Sequence, residues 1–164
     1  MFSKAVQDSM NDQIKNELYS AYIYLSMSAH FEAANLLGFA HWMRLQSEEE
    51  VEHAMKFFDF INDRNGRVEL RAIEQPPVEW GTPLEIFETA LNHERKVTGM
   101  INNIYDIAQN EKDYPSQIML QWFIAEQVEE EKSAAGIVET LKVVGDSDTA
   151  ILILDRQLAQ RSEG

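Results

Sequence analysis

Ser47-Glu48-Glu49-Glu50-Val51-Glu52-His53-Ala54-Met55 sits in the middle of a segment whose apolar residues recur every three or four positions. The recurring series is Phe39, Met43, Gln46, Glu50, His53, Phe57 and Phe60, with steps averaging near 3.5 residues, the spacing of a helix packed on other helices. Glu50 and His53 therefore share one face, three residues apart, and both fall inside the stripe that should face a core. Glu48, Glu49 and Glu52 stand beside them, so a solvated charge run is the bland alternative, and phase argues against it. An uncompensated buried carboxylate costs several kcal/mol. A carboxylate and an imidazole on one face suit a divalent first-row metal, which is the simplest positive partner.

Working outward, the same helical period recurs along the chain and strand signals are weak. A first helix is expected over about 3–34, with Val6, Met10, Ile14, Leu18, Ala21, Leu25 and Phe31 inward and Asn35 and Gly38 as breakers. The second is expected over about 39–65, stopping at Asn65-Gly66. Gln75-Pro76-Pro77 forbids a helix between Arg67 and Gly81. Thr82-Pro83-Leu84-Glu85 restarts one, with Thr82 as cap, Pro83 in the first position and Glu85 completing a capping box. This third helix, about 83–110, carries Phe87, Leu91, Glu94, Val97, Ile101, Ile104 and Ala108 inward. The fourth, about 114–144, carries Leu120, Phe123, Gln127, Glu130, Ala134, Ile137 and Leu141 and ends at Gly145. A short fifth is expected over about 148–159, with Ile151, Leu152, Leu154 and Leu158. Rods of roughly thirty residues are about 45 Å long. Short first and last links make antiparallel hairpins, and the long middle link spans the bundle. The expected fold is all-α: one domain, 1–164, an antiparallel four-helix bundle with one long crossover and a short C-terminal fifth helix.

Each long helix carries a carboxylate in its inward series. Glu17 lies between Ile14 and Ala21, and Glu94 between Leu91 and Val97; taken singly, each is a core-edge glutamate with a wet head. Four such positions near four helix centres make one site the better reading. Gln127 and Glu130 are the contribution of the fourth helix; Glu126 and Glu129 beside them extend the site or are surface charge. Tyr24, seven residues after Glu17, lies on the same face. Trp122 is read as packing, Glu131 as solvated, and His30, His41 and His93 as packing or surface residues.

The 164 residues suffice for a substantial core, and 45% of them are hydrophobic. Net charge is −14, which argues against nucleic acid and anionic membrane as partners. Zero cysteines exclude disulfides and thiolate metal ligands. No signal peptide or membrane span is read, and the cytoplasm is the expected compartment.

The set Glu17, Tyr24, Glu50-x-x-His53, Glu94 and Gln127-x-x-Glu130 resembles the ferroxidase centre of ferritins, most closely the non-haem ferritins of bacteria and archaea. The resemblance covers essentially the whole chain. It implies a bundle subunit in a hollow homo-oligomeric cage, usually of twenty-four copies. It implies oxidation of Fe(II) by O2 or H2O2 at a dinuclear centre and storage of Fe(III) mineral. It implies that Glu17, Glu50 and His53 bind the first iron, that Glu50 bridges, and that Glu94 and Glu130 bind the second. It implies a third iron site at Glu49, Glu126 and Glu129, and a role beside the centre for Tyr24. Bacterioferritins carry a second Glu-x-x-His on the fourth helix, where this chain reads Gln127-Val128-Glu129-Glu130; at their haem methionine stands Glu52, so haem is not expected. Animal heavy chains have a small residue at Glu130. The fourth helix begins Tyr114-Pro115-Ser116-Gln117-Ile118-Met119-Leu120-Gln121, without the acids of the animal three-fold pore. The alternative reading is another carboxylate-bridged di-iron oxidase or peroxidase of the rubrerythrin kind; the cysteine-ligated iron module usual there has no residues here.

Overall fold

In a computed structural model, residues 2–162 are described. Five helices follow in order: α1 (Lys4–Ala33), α2 (Leu37–Asp63), α3 (Pro83–Asn110), α4 (Tyr114–Val144) and α5 (Asp148–Leu158). Local chemistry sets their ends. Ser3, Asp113 and Ser147 accept backbone N–H groups at the starts of α1, α4 and α5. Thr82 and Glu85 form the full capping box of α3. Asn35, Asn65 and Lys112 take positive φ just past the C-termini of α1, α2 and α3. At each, the next residue's N–H returns to a carbonyl of the last turn: Leu36 to Phe31, Gly66 to Ile61, Asp113 to Ala108. These are Schellman stops. At the end of α2 it is Asn65, not Gly66, that takes the left-handed conformation.

The order of the buried residues gives the topology. One apolar cluster takes Ile23 to Phe31 of α1, Phe39 to Met43 of α2, Ile86 to Leu91 of α3, Ala134 to Leu141 of α4, and Leu154 and Leu158 of α5. A second takes Val6 to Ile14, Ala54 to Ile61, Val97 to Ala108, and Leu120 and Phe123. Thus α1 and α4 run from the second cluster to the first, and α2 and α3 run the other way. The link 64–82 must then return along the whole bundle. It does so on α1: Asn11 donates to the Arg67 carbonyl and accepts from the Glu69 N–H, Arg71 pairs with Asp12, Lys15 with Glu74, and Trp80 Nε1 donates to Ser26 Oγ. Between the two clusters every long helix contributes buried polar residues, and this belt is the candidate site.

Some inward assignments shift by one position: Tyr24 is buried and Leu25 exposed, Ile61 is buried and Phe60 only half so, and Val138 is buried and Ile137 only half so; Leu152 of α5 is exposed, as is Ile153 beside it. A stripe read at 3.5 residues drifts against a helix of 3.6.

Gly38 is not a breaker but lies inside the first turn of α2. A Cβ there would stand 1.6 Å from the Asp155 carbonyl oxygen of α5. That approach lets Asp155 Oδ1 accept from Gly38 N at 2.8 Å and Phe39 N at 3.0 Å. Leu36 gives α2 no side-chain cap of its own, so α5 caps it. Gly38→Ala is expected to displace α5 and cost about 1–3 kcal/mol, a fall of roughly 2–4 °C in Tm per kcal/mol in thermal unfolding. An unchanged Tm would mean that α5 does not dock so closely.

Candidate metal centre

Glu17, Glu50, His53, Glu94, Gln127 and Glu130 are all buried, and together they form the polar belt between the two clusters. Ligand atoms of Glu17, Glu50 and His53 lie within 4.8 Å of one another, and so do those of His53, Glu126 and Glu130. His53 belongs to both groups, with Nδ1 3.4 Å from Glu50 Oε2. Glu94 is tied in through its neighbours: Tyr24 donates its hydroxyl to Oε1, and Gln127 Nε2 donates to Oε2 at 3.2 Å.

A second sequence pattern, outside the ligand motif, organises the carboxylates. Gln13 Nε2 donates to Glu17 Oε1 at 2.9 Å, and Gln46 Nε2 to Glu50 Oε1 at 3.4 Å and Glu130 Oε2 at 2.7 Å. Both are glutamines four residues ahead of a glutamate, one turn away on the same face. With Gln127 on Glu94, amide N–H groups aim the carboxylates without adding positive charge.

The charge is left uncompensated. Glu17 Oε2 is buried with no hydrogen-bond partner among the described residues. Burial first, then the Glu50 charge, pushes the Glu17 carboxyl well above its ordinary range. Burial, then Glu94 and Glu130, does the same to Glu50. Burial raises Glu94 against the hydrogen bonds from Tyr24 and Gln127. Burial and the Glu94 charge push Glu130 to about 8. Burial and Glu94 raise the Tyr24 phenol, which stays protonated and keeps its donor. Oxygen and imidazole donors around an unpartnered buried oxygen fit hard or borderline divalent cations.

The outer acids divide. Glu126 is half-buried and reaches the His53–Glu130 group. Glu49 pairs with Arg161 at 2.6 Å, and Glu129 is exposed beside Lys132 at 3.5 Å. Trp122 is not core packing: it is 40% exposed, with its ring edge-on to His53 at 5.4 Å and Lys56 Nζ 4.4 Å from its centre. Glu131 is half-buried and accepts from Thr98 at 2.7 Å. His93 Nε2 lies 2.7 Å from Ser20 Oγ; burial, then Lys96, lowers its imidazole to about 4. His41 bonds the Arg161 carbonyl, and His30 packs edge-on to Phe31.

Comparisons with known proteins agree with this geometry. The profile of the ferritin-like domain matches residues 7–144. A bacterial non-haem ferritin of Bacteroides fragilis (strain 638R) is 45% identical over 161 residues, covering 98% of this chain and 100% of that protein. That of Staphylococcus aureus (strain USA300) is 34% identical over 162 residues, 99% and 98% of the two chains. Among solved structures, an open-pore ferritin from the hyperthermophilic archaeon Archaeoglobus fulgidus superimposes with a TM-score of 0.98 at 48% identity, covering 99% of this chain and 100% of that one. With a five-helix bundle, a carboxylate belt at its waist and full-length relatives of this kind, the chain belongs to the ferritin family.

Proposed function

We propose that this protein stores iron: it oxidises Fe(II) to Fe(III) at a dinuclear ferroxidase centre within each subunit and holds the mineral in a hollow cage of about twenty-four copies. The observation that carries the reading is the buried belt of Glu17, Glu50, His53, Glu94 and Glu130, whose Glu17 Oε2 has no hydrogen-bond partner among the described residues. Glu17, Glu50 and His53 take the first iron, Glu94 and Glu130 the second, and Glu50 bridges. Glu49, Glu126 and Glu129 form a third site.

The substrate enters as Fe(II), and carboxyl protons held by burial leave as it binds. Gln13, Gln46 and Gln127 keep the freed carboxylates aimed. Each ion gives one electron, so a pair reduces O2 with two protons to H2O2, or H2O2 with two protons to two waters. An all-oxygen and imidazole set favours the trivalent product. Tyr24 holds Glu94 by hydrogen bond while the second iron comes and goes. Exposed Tyr22, Leu25, Leu70, Ile73 and Val78 on α1 and the crossover support assembly, since such apolar surface seeks a second copy. No helix among the described residues is long and apolar enough to cross a membrane.

His53→Ala tests the centre. Stopped-flow oxidation of Fe(II) by O2 is expected to slow at least roughly tenfold to a hundredfold, with the cage intact by native mass spectrometry. Wild-type initial kinetics in that variant would sink the assignment. A native mass near one or two subunits of 18.9 kDa would remove the cage.

A further inference from the structure

Beyond the last turn of α5 the chain folds back onto the rim of the belt. The Arg161 N–H returns to the Leu158 carbonyl at 3.2 Å, and the Arg161 carbonyl accepts from His41 Nε2 at 2.8 Å. The side chain is then aimed at α2. Its guanidinium lies over Trp42, with Cζ 4.4 Å from the ring centre, and Nη1 donates to the Trp42 carbonyl at 3.1 Å. Nη2 donates to Gln46 Oε1 at 3.0 Å and to Glu49 Oε2 at 2.6 Å. These six contacts fix a residue that the repeat pattern of the bundle does not require.

Two of them reach the centre. Holding Gln46 Oε1 turns the amide nitrogen of that residue inward, onto Glu130 and Glu50. Holding Glu49 gives a carboxylate of the third site a cation supplied by the chain itself. A guanidinium and a metal ion compete for the same oxygen lone pairs. We propose that Arg161 is a latch on the third iron site: it occupies Glu49 while that site is empty, and metal binding there requires the tail to let go. The inference rests on reading Glu49, Glu126 and Glu129 as a third site. It makes filling of that site and docking of the tail mutually exclusive, and linkage makes the effect reciprocal. Third-site iron loosens the tail, and a loosened tail frees Gln46. The latch thereby orders the sites, since among the described residues no Lys or Arg pairs with the dinuclear carboxylates, and the pair fills first.

Anaerobic calorimetric titration of the metal-free cage with Fe(II) tests this. In Arg161→Gln the third Fe(II) is expected to bind about tenfold tighter, the worth of a lost, partly screened, charge-assisted contact. The first two events, which feel Arg161 only through Gln46, shift less than the third. Arg161→Lys, which keeps the charge without the fork, shifts less. Glu49→Gln abolishes the third event in either background. An equal or weaker third event in Arg161→Gln overturns the latch, as does a third event that survives Glu49→Gln. If two Fe(II) bind and neither protein takes a third, the latch alone fails. If the wild type binds fewer than two, the dinuclear reading fails and the latch with it. Should Arg161→Gln not assemble, the wild type decides by hydrogen exchange. Amides of the peptide spanning residues 159–162 are expected to exchange faster once the third Fe(II) is added, and unchanged exchange overturns the proposal.

Discussion

Glu50→Gln is expected to slow Fe(II) oxidation by about a hundredfold or more while raising the Tm of the metal-free protein. Loss of a group that merely supports a metal ligand costs roughly 10- to 100-fold, and Glu50 is read as the bridge itself. A neutral amide cannot share an anionic charge between two cations. In the metal-free fold the balance reverses. Burial, then Glu94 and Glu130, holds the Glu50 carboxyl well above its usual range, so ionisation there opposes folding. Glutamine keeps the shape and an oxygen for Gln46 without that charge. A gain of about 1 kcal/mol, or roughly 2–4 °C, is expected near pH 8. Stopped-flow spectrophotometry and calorimetry on one preparation give both readings. A fall in both would make Glu50 a structural residue, and an unchanged rate would remove it from the centre.

Stability of the metal-free protein should fall as pH rises from about 4.5 to about 8, and divalent metal should reverse the trend. Unfolded, the Glu130 carboxyl loses its proton near its ordinary 4.5; folded, it keeps it to about 8. Between those values the folded state binds more protons, so each pH unit removes up to about 1.4 kcal/mol per such group. The contribution is whole below 4.5 and spent above 8. Glu17 and Glu50 act in the same direction. Asp113, held low by Arg64 and Ser116, acts oppositely below this window, and His93, lowered to about 4 by burial and then Lys96, acts oppositely inside it up to about 6.5, where it offsets one such carboxyl but not the set. Metal binds the ionised carboxylates, so its affinity grows over the same interval. At a hundredfold excess over Kd a ligand adds about 2.7 kcal/mol. Tm curves from pH 5 to 8, with and without Zn(II) as a redox-inert probe, are expected to diverge. Parallel curves would mean that the buried carboxyls do not exchange protons for metal.

Helical phase made much of this legible. Glu17, Glu50, His53, Glu94, Gln127 and Glu130 sit in apolar series, and each is buried in one layer. The capping box at Thr82 and the Pro-rich crossover are local chemistry, readable without a fold. What phase cannot carry is contact between distant segments. Gly38 looks like a breaker until Asp155, 117 residues away, needs the room of its missing Cβ. Arg161 belongs to no periodic series; only the docking of α5 brings it to Glu49. Trp122 reads as core until the packing leaves it at the rim, edge-on to His53. Gln13 and Gln46 were within reach, each one turn ahead of a buried glutamate.

The cap that α5 provides also sets an order in time. A chain leaves the ribosome N-terminus first, so α2 emerges long before the residue that closes its first turn. Until Asp155 has been made, the Gly38 and Phe39 N–H groups lack that acceptor. The helix bearing Glu50 and His53 is thus finished by a residue translated 117 positions after Gly38, and its first turn is closed only once α5 has been made.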